Sequence, residues 1–492
     1  MESGKLEGVL DRGVQIFKGI PYAAPPIGER RWTPPQSVQP WSGVREGSRF
    51  GAECPQPQYP DGSIYIRPLQ PQSEDCLFLN VWTAAEDGDR WPVLVWIHGG
   101  ALMYGSGISD VRDGVPLAQR GIVLVSINYR LGPLGYLEHP ALTAESPEGS
   151  SGNYGVLDQI AALQWVQRNI EWFGGDPAKV TIAGESAGSW SVNTLMASPL
   201  AAGLFRGAIG QSGGRFSRTP HLSKDHGSQA SAESVGLSLA QKLGVESLAQ
   251  LRALPAERLA MVEGFRSQEN VDGWVLPDEI RSIFATRRHH NVPVIVGSTA
   301  DEMSPFNVAQ TAPRSLEDFR RWAAQHFREM SIELETAYNV RTDADATRAA
   351  VEVARDTTFS SHMRNWARHV TAAGSNAFLY FFAYAPPAPQ RDTLGAFHAG
   401  EIPYVFNVIP SPDPRENGFR YTEDDHLLAE RMSSYWVRFV ETGDPNGPGL
   451  PVWTPYEPVT EPYLEFGTEI TRGTHLLKPQ LDFLEKAFAR RR

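Results

Sequence analysis

Residues 180–193 read Val-Thr-Ile-Ala-Gly-Glu-Ser-Ala-Gly-Ser-Trp-Ser-Val-Asn, and this stretch decides the fold. Its first four residues are typical of a buried strand. A Gly-x-Ser-x-Gly sequence follows, and the proline-free residues after it favour a helix. A nucleophilic serine needs this context, because the sharp turn between strand and helix holds the Ser186 hydroxyl above the sheet. The helix N-terminus offers N–H groups to an oxyanion, beginning with that of Ala187.

A second Gly-x-Ser-x-Gly sequence lies at 210–214, with Ser212 at its centre. Residues 207–209 predict a strand before it. The sequence Gly-Gly-Arg and a nearby proline make a poor helix after it. We therefore interpret Ser212 as a strand-to-loop turn and Ser186 as the nucleophile.

Short apolar runs rich in valine and isoleucine recur along the chain. They predict strands buried on both faces, as in a parallel sheet covered by helices. Apolar residues spaced three or four apart predict a helix over 157–173. Alternating strands and helices indicate an α/β fold with a doubly wound, mostly parallel sheet flanked by helices. The runs are 93–97, 122–127, 180–183, 292–296 and 378–382.

The chain has 492 residues without a visible repeat or a linker rich in glycine, serine or proline. We therefore expect a single catalytic domain over 1–492. The segments 215–290 and 307–376 are rich in helical patterns. We expect them to be large helical insertions over the active site.

The composition excludes several classes of function. Forty-five Lys and Arg residues against 57 Asp and Glu give a net charge of −12, which repels nucleic acid. No apolar stretch is long enough to span a membrane. No His-Glu-x-x-His, cysteine cluster or Gly-x-x-x-x-Gly-Lys motif is present, so we expect neither metal nor cofactor. The expected partner is a small-molecule substrate, and the oligomeric state is left open.

Residues 96–101 read Trp-Ile-His-Gly-Gly-Ala after a predicted strand. Acyl transfer places negative charge on the former carbonyl oxygen, and backbone N–H donors must already be in position to stabilise it. We expect Gly99, Gly100 and Ala101 to supply such donors, in a variant of the His-Gly-Gly-Gly element. His98 is an alternative catalytic base, but its place at a strand end favours a structural role.

Several motifs along nearly the whole chain resemble the type B carboxylesterases, which include the cholinesterases and bacterial para-nitrobenzyl esterases. The resemblance implies the α/β-hydrolase fold and hydrolysis of carboxylic esters by a serine nucleophile through an acyl-enzyme. Besides the elbow, the matching segments are Phe-Lys-Gly-Ile-Pro-Tyr-Ala at 17–23, Ser-Glu-Asp-Cys-Leu-Phe-Leu-Asn-Val at 73–81, Asn-Tyr-Arg-Leu-Gly-Pro at 128–133, Phe-Gly-Gly-Asp-Pro at 173–177 and Gly-Asp-Pro-Asn at 443–446.

The resemblance also implies the other members of a catalytic triad. The segment 297–302 matches the family's Gly-x-x-x-Asp-Glu sequence, so Glu302 is the expected acid, with Asp301 as the alternative. The segment 398–401 matches its His-x-x-Glu sequence, so His398 is the expected base. Glu185 and Glu401 are expected to be supporting carboxylates near the histidine.

Cys54 and Cys76 are the only cysteines. So few cysteines would ordinarily indicate a reducing compartment. Their flanking residues, however, resemble the family's first disulfide loop, which implies that they pair. Two buried free thiols remain the alternative. Pairing favours a secreted or periplasmic protein whose signal peptide was trimmed, and the alternative is a cytoplasmic protein.

The substrate expectation also starts from the resemblance. Cholinesterases bind a quaternary ammonium partly through a tryptophan in this loop, by a cation–π contact. Residues 55–75 contain Tyr59 and Tyr65 but no tryptophan, and Pro305 replaces one of the paired gorge aromatics. We therefore expect neutral short- to medium-chain alkyl or aryl esters. Residues expected to line the apolar pocket, each of which a place in the core would also explain, are Leu102, Trp190, Trp274, Phe306 and Phe397.

Two other functions compete with an esterase acting on small esters. One is a non-catalytic binding or adhesion module on the same fold, against which the retained Ser186, Glu302 and His398 argue. The other is a lipase acting at an interface, but no amphipathic lid stands out in the sequence.

Overall fold

The computed structural model describes residues 1–108, 113–388, 390–409 and 420–490. The chain divides into two units. The first comprises Met1–Ile209, Arg215–Pro293 and Trp436–Pro445, and the second comprises Gly210–Gly214, Val294–Tyr435 and Asn446–Arg492. The expectation of a single domain over 1–492 stays a prediction.

The first unit is built on a mixed sheet whose strands lie in the order β9-β8-β6-β7-β5-β3-β2. Strand β6 is parallel to both β7 and β8, whereas β5, β3 and β2 extend the sheet in antiparallel pairs. Strands β1 and β4 form a separate parallel pair. The strands are β1 (Lys5–Glu7), β2 (Val9–Asp11), β3 (Val14–Pro21), β4 (Val44–Glu46), β5 (Phe78–Thr83), β6 (Trp91–Ile97), β7 (Val123–Ile127), β8 (Gly175–Glu185) and β9 (Gly207–Gln211).

Nine helices accompany these strands in the described part of the first unit. The helix predicted over 157–173 is observed as α4, which begins three residues earlier and ends in a 3₁₀ turn, Ile170–Phe173. The helices are α1 (Val115–Ala118), α2 (Gly132–Tyr136), α3 (Pro140–Glu145), α4 (Tyr154–Asn169), α5 (Ala187–Ala197), α6 (Ala232–Leu243), α7 (Leu248–Arg252), α8 (Ala256–Ala260) and α9 (Ile280–Ala285).

The second unit has a smaller sheet in the order β10-β11-β12-β13, parallel except for the last pair. The strands are β10 (Val294–Thr299), β11 (Ala377–Phe382), β12 (Pro462–Phe466) and β13 (Ile470–Thr474). The helices are α10 (Val308–Thr311), α11 (Leu316–Phe327), α12 (Ser331–Ala337), α13 (Asp343–Arg355), α14 (Ser361–Ala372), α15 (Arg391–Leu394), α16 (Ile402–Phe406), α17 (Glu423–Thr442) and α18 (Lys478–Arg490). Helices α11, α12, α13 and α18 share one apolar core that includes Phe319, Leu334, Val353 and Leu484.

Each apolar run that predicted a strand overlaps one, although the run at 122–127 begins one residue before its strand and the run at 292–296 begins two residues before. A strand buried on both faces favours such an unbroken apolar sequence. The five runs correspond to β6, β7, β8, β10 and β11. The two segments predicted to be helical insertions contain α6 to α9 and α10 to α14. The α/β prediction is therefore confirmed. Within the described ranges, no helix is long and apolar enough to cross a membrane.

Candidate active site

Ser186 lies at the turn between β8 and α5, with φ 56° and ψ −123°. A positive φ is uncommon for a residue with a Cβ and is typical of functional turns. The turn is tight because strand and helix approach closely. A Cβ on Gly184 would lie 2.4 Å from the carbonyl carbon of Gly188, and a Cβ on Gly188 would lie 2.0 Å from the carbonyl oxygen of Ile97. Both glycines are therefore required by packing.

Helix α5 begins immediately after Ser186, and the N–H of Trp190 donates to the Ser186 carbonyl at 3.0 Å. Ala187 is fully buried, whereas Ser186 is partly exposed. The positive end of an eleven-residue helix therefore lies at the serine, where it stabilises negative charge.

The glycine loop at 99–101 lies beside this turn. Strands β6 and β8 are parallel and pair Ile97 with Gly184, so their carboxyl ends coincide and the loop after β6 meets the turn after β8. A Cβ on Gly99 would lie 3.0 Å from the Cβ of Ser186. Gly100 and Ala101 both have positive φ, 108° and 55°. The first unit thus brings the predicted oxyanion residues to Ser186.

His98 is held in the core next to this loop. It is 1% exposed, and its Nδ1 is 2.8 Å from the Gly99 carbonyl oxygen. Its ring stacks on Tyr129 with centroids 4.4 Å apart, and the Tyr129 hydroxyl donates to the His98 carbonyl at 2.8 Å. These contacts favour the structural role expected for His98.

In the second unit, Glu302 and His398 form a buried pair. Oε2 of Glu302 lies 2.5 Å from Nδ1 of His398, and the other carboxylate oxygen accepts the N–H of Thr299 at 2.8 Å. Glu302 is fully buried and His398 is 4% exposed. A carboxylate in this position fixes the imidazole tautomer and stabilises the imidazolium.

Asp301 has a different set of contacts. Its carboxylate accepts the N–H of Ala396 at 2.8 Å, and its own N–H donates to the Ala396 carbonyl at 3.0 Å. A short parallel bridge between Asp301 and Phe397 continues this pairing up to His398. Asp301 therefore ties the histidine segment to the end of β10, and Glu302 is the residue that contacts the imidazole.

Glu401 is buried near the same pair. The amide of Gln211 donates to its Oε1 at 3.1 Å and the hydroxyl of Tyr380 donates at 3.3 Å. Burial, and secondly the negative charge of Glu302, raise the pKa of Glu401 to about 7. The second unit thus brings Glu302, His398 and Glu401 together. Glu185 lies in the first unit beside Gly99, since a Cβ added to Gly99 would be 2.9 Å from Oε2 of Glu185.

Ser212 resembles Ser186 in backbone conformation but not in surroundings. Its φ is 50°, and it directly follows β9. No helix starts after it, and its side chain is fully buried. Its N–H donates to the Gly297 carbonyl at 2.8 Å. These contacts are those of the strand-to-loop turn expected from the sequence.

The residues expected to line the substrate pocket have varied environments. Leu102 is fully buried, with φ 59°, and Trp190 is partly exposed beneath the guanidinium of Arg215, 4.8 Å from its ring centroid. Phe306 is 47% exposed and Phe397 is buried.

Trp274 lines a cavity of about 400 Å³ in the first unit. Trp32, Leu142, Tyr154 and Leu157 also line this cavity, and no predicted catalytic or oxyanion residue does. The expected place of Trp274 in the substrate pocket stays a prediction.

Sequence reasoning missed several contacts around Glu302, His398 and Glu401. Phe359 packs on the His398 ring at a centroid distance of 4.8 Å. Gln211 and Tyr380 hydrogen-bond to Glu401. Gln211 lies in the second Gly-x-Ser-x-Gly sequence, but nothing in that motif indicates a contact with Glu401, and Phe359 and Tyr380 lie in no motif singled out from the sequence.

Cys54 and Cys76 form a disulfide, as the family resemblance implied. Inside the loop that it closes, the ring of Tyr59 lies near Tyr65 and stacks on Tyr104, with centroids 4.4 Å apart in the stacked pair. Within the part of the chain that the structure describes, no group of three His, Cys, Asp or Glu side chains could hold a metal ion.

Comparisons with known proteins show the family to which the chain belongs. The model of the carboxylesterase family matches residues 1–484. The fumonisin B1 esterase of Sphingopyxis macrogoltabida is 36% identical over 96% of this chain and 87% of its own length. The para-nitrobenzyl esterase of Bacillus subtilis (strain 168) is 34% identical over 95% of this chain and 94% of its own length. The crystal structure of a Geobacillus stearothermophilus carboxylesterase superposes with a TM-score of 0.84 at 32% identity, covering 97% of this chain and 98% of that one.

These relatives are esterases, and none of them favours the non-catalytic alternative. The matches extend over almost the whole chain. The chain belongs to the carboxylesterase family and is a carboxylic ester hydrolase with the α/β-hydrolase fold.

Proposed function

We propose that Ser186 is the nucleophile of this esterase, that His398 is its general base and that Glu302 orients the histidine. The observation that carries the proposal is the strained turn at Ser186, which holds this partly exposed residue at the start of α5 beside the loop at 99–101. The bond between Glu302 and Nδ1 of His398 supports the rest, since it leaves Nε2 as the nitrogen that handles the proton.

The proposed reaction has two halves. His398 takes the Ser186 proton as Oγ attacks the ester carbonyl carbon, and the histidine then gives that proton to the departing alcohol. Water deprotonated by the same histidine attacks the acyl-enzyme, which releases the carboxylic acid and restores the serine. Backbone N–H groups of Gly99, Gly100, Ala101 and Ala187 stabilise the oxyanion in both halves.

The proposed substrates are neutral esters of short to medium chain length, with alkyl or aryl groups. The apolar side chains of Leu102, Trp190, Phe306 and Phe397 support this class. The ring of Tyr59 is already stacked on Tyr104, which leaves it poorly placed to receive a quaternary ammonium group. One matched relative is named para-nitrobenzyl esterase, which makes para-nitrophenyl and para-nitrobenzyl esters suitable first assays.

A double-mutant cycle tests the proposed roles. Ser186→Ala and His398→Ala should each lower kcat for para-nitrophenyl butyrate by several orders of magnitude, and the double variant should be hardly worse than either, because these groups act as one unit. Ser212→Ala is the matched control and should retain activity. Additive losses in the double variant, or an inactive Ser212→Ala that is folded, would contradict the assignment.

A proposed compartment follows from the disulfide. Disulfides persist mainly in oxidising compartments, so we propose that the protein works outside the cytoplasm. Thiol alkylation of the native protein in its own cells should find Cys54 and Cys76 blocked. Free thiols in protein from active cells would contradict this placement.

A further inference from the structure

A widened turn joins α13 to α14 in the second unit. Residues Asp356–Ser360 form one π-helical turn, and the N–H of Ser361 donates to the Asp356 carbonyl five residues earlier. Such turns are rare and are found frequently at functional sites. One extra residue rotates every later side chain about the helix axis by about 100°. We call this segment the π-turn.

The π-turn carries Phe359 to the proposed catalytic histidine. The rings of Phe359 and His398 have centroids 4.8 Å apart and planes inclined by 36°. Phe306 also contacts the imidazole, at 5.3 Å and 57°. Phe359 is 4% exposed and Phe306 47%, so the π-turn supplies the nearer and more rigidly enclosed of the two rings.

The π-turn and the residue before it also contact the strand end that precedes Glu302. Nη1 of Arg355 donates to the Ala300 carbonyl at 3.1 Å. The hydroxyls of Ser360 and Ser298 lie 3.4 Å apart. One short segment of helix therefore touches both the β10 end that leads to Glu302 and the histidine that Glu302 binds.

Buried polar contacts hold the π-turn in place. Nε of Arg355 donates to Asp356 at 2.7 Å, and the Tyr338 hydroxyl donates to the same carboxylate at 3.1 Å. Asp356 is fully buried and Arg355 is 9% exposed. Removing one partner of such a pair leaves an uncompensated buried charge, so the π-turn is not a loosely held irregularity.

We propose that the π-turn positions the acid–base pair and that Phe359 is the positioning residue for His398. This inference rests on the proposed function, because it requires His398 to be the base. The aromatic ring restricts rotation of the imidazole, and the negative face of its π-system favours the imidazolium that forms in the transition state. A leucine of similar size would fill the space without supplying this electrostatic contribution.

Other charged groups lie around His398. Glu302 binds its Nδ1, and the Glu401 carboxylate is electrostatically linked to both residues. On the π-turn side, Asp356 is paired with Arg355. Substituting Phe359 leaves all of these groups in the chain, so a shift of the pH profile reports on the aromatic ring.

The test is Phe359→Leu, assayed with para-nitrophenyl butyrate and normalised to active sites titrated with a fluorophosphonate. We expect kcat per titrated site to fall about 2.5- to 5-fold with KM within about twofold, because the interaction grows in the transition state. The acid limb of the kcat/KM profile should move down by about 0.4–0.7 pH units. Phe359→Tyr retains the aromatic face and should restore that limb.

Phe319→Leu is the matched control, since Phe319 is a fully buried aromatic residue in the α11–α13 core. It should lower the unfolding midpoint while leaving kcat per titrated site and the acid limb unchanged. If Phe359→Leu behaves in the same way, or raises KM alone, the positioning role is wrong.

Titration of the wild-type protein separates this inference from the proposed function. If the fluorophosphonate fails to label the wild type, the proposed function is wrong. If the wild type labels normally but Phe359→Leu leaves kcat per titrated site and the acid limb unchanged, only this inference is wrong.

Discussion

Gly188→Ala places a methyl group where the nucleophile turn and the glycine loop are packed together. The added Cβ would lie 2.0 Å from the Ile97 carbonyl oxygen and 2.9 Å from that of His98, whereas real Cβ atoms essentially never approach closer than 3.0 Å. The end of β6 and the start of α5 must therefore separate by about 1 Å. Gly99 follows these two carbonyls directly, so the separation moves the oxyanion donors away from Ser186.

The size of the expected effect follows from this displacement. A misplacement of about 1 Å in a catalytic group costs about 100-fold in rate. Overpacking of this kind also destabilises a core by about 1–3 kcal/mol. We therefore expect Gly188→Ala to remain folded with a lowered unfolding midpoint, and to lose about two orders of magnitude in kcat for para-nitrophenyl butyrate.

The control for this experiment is Gly467→Ala. An added Cβ there meets nothing closer than 3.5 Å, and Gly467 has no positive φ. Activity and unfolding midpoint should match the wild type. Gly188→Ala with full kcat per active site would refute the claim that close packing of strand and helix sets the oxyanion geometry.

Three further predictions concern other parts of the chain. Burial raises the pKa of Glu138 to about 8, so the folded protein keeps this proton where the unfolded chain has lost it, and stability falls as the pH rises from 4.5 to 8. Between these pH values the wild type should lose on the order of 4 kcal/mol of unfolding free energy, measured in urea, and Glu138→Gln should not show this loss. Equal pH dependence in both proteins would contradict the prediction. Replacing both Cys54 and Cys76 by Ala should cost about 3.4 kcal/mol, the loop-closure value for about 23 residues, and an unchanged urea midpoint would rule this out. 3,3-Dimethylbutyl butyrate should be hydrolysed at least as well as butyrylcholine; a preference for the cation that persists in high salt would indicate a cation site at Tyr59, Tyr65 or Phe306.

The sequence was informative wherever a local pattern determines the structure. The run at 93–97 must be a buried strand, since an unbroken apolar sequence suits no exposed element, and it is β6. The nucleophile turn needs a strand before Ser186, the start of a helix after it, and glycines where strand and helix approach closely. The residues that meet these needs all lie within the nine residues 180–188. Glu302 and His398 lie 96 residues apart and could be paired only through the family resemblance.

Positions set by long-range packing were not predictable. Trp274 lines a cavity together with Trp32 and Leu142, neighbours that no local pattern around Trp274 indicates. Phe359 contacts His398 from the π-turn, and no residue pattern marks such a turn. Ser212 and Ser186 have similar positive φ, so what distinguishes them is the helix that follows Ser186 and the exposure of its side chain.

Covalent labelling with a fluorophosphonate tests the central claim most directly, because the probe reacts with an activated serine whatever the natural ester is. The labelled protein should carry one probe per chain, and peptide mass spectrometry should locate it on Ser186. The Ser212→Ala variant should label equally, and Ser186→Ala should not label at all. A probe found on the Ser212 peptide, or an intact wild-type protein that takes up none, would contradict the assignment of Ser186 as the nucleophile.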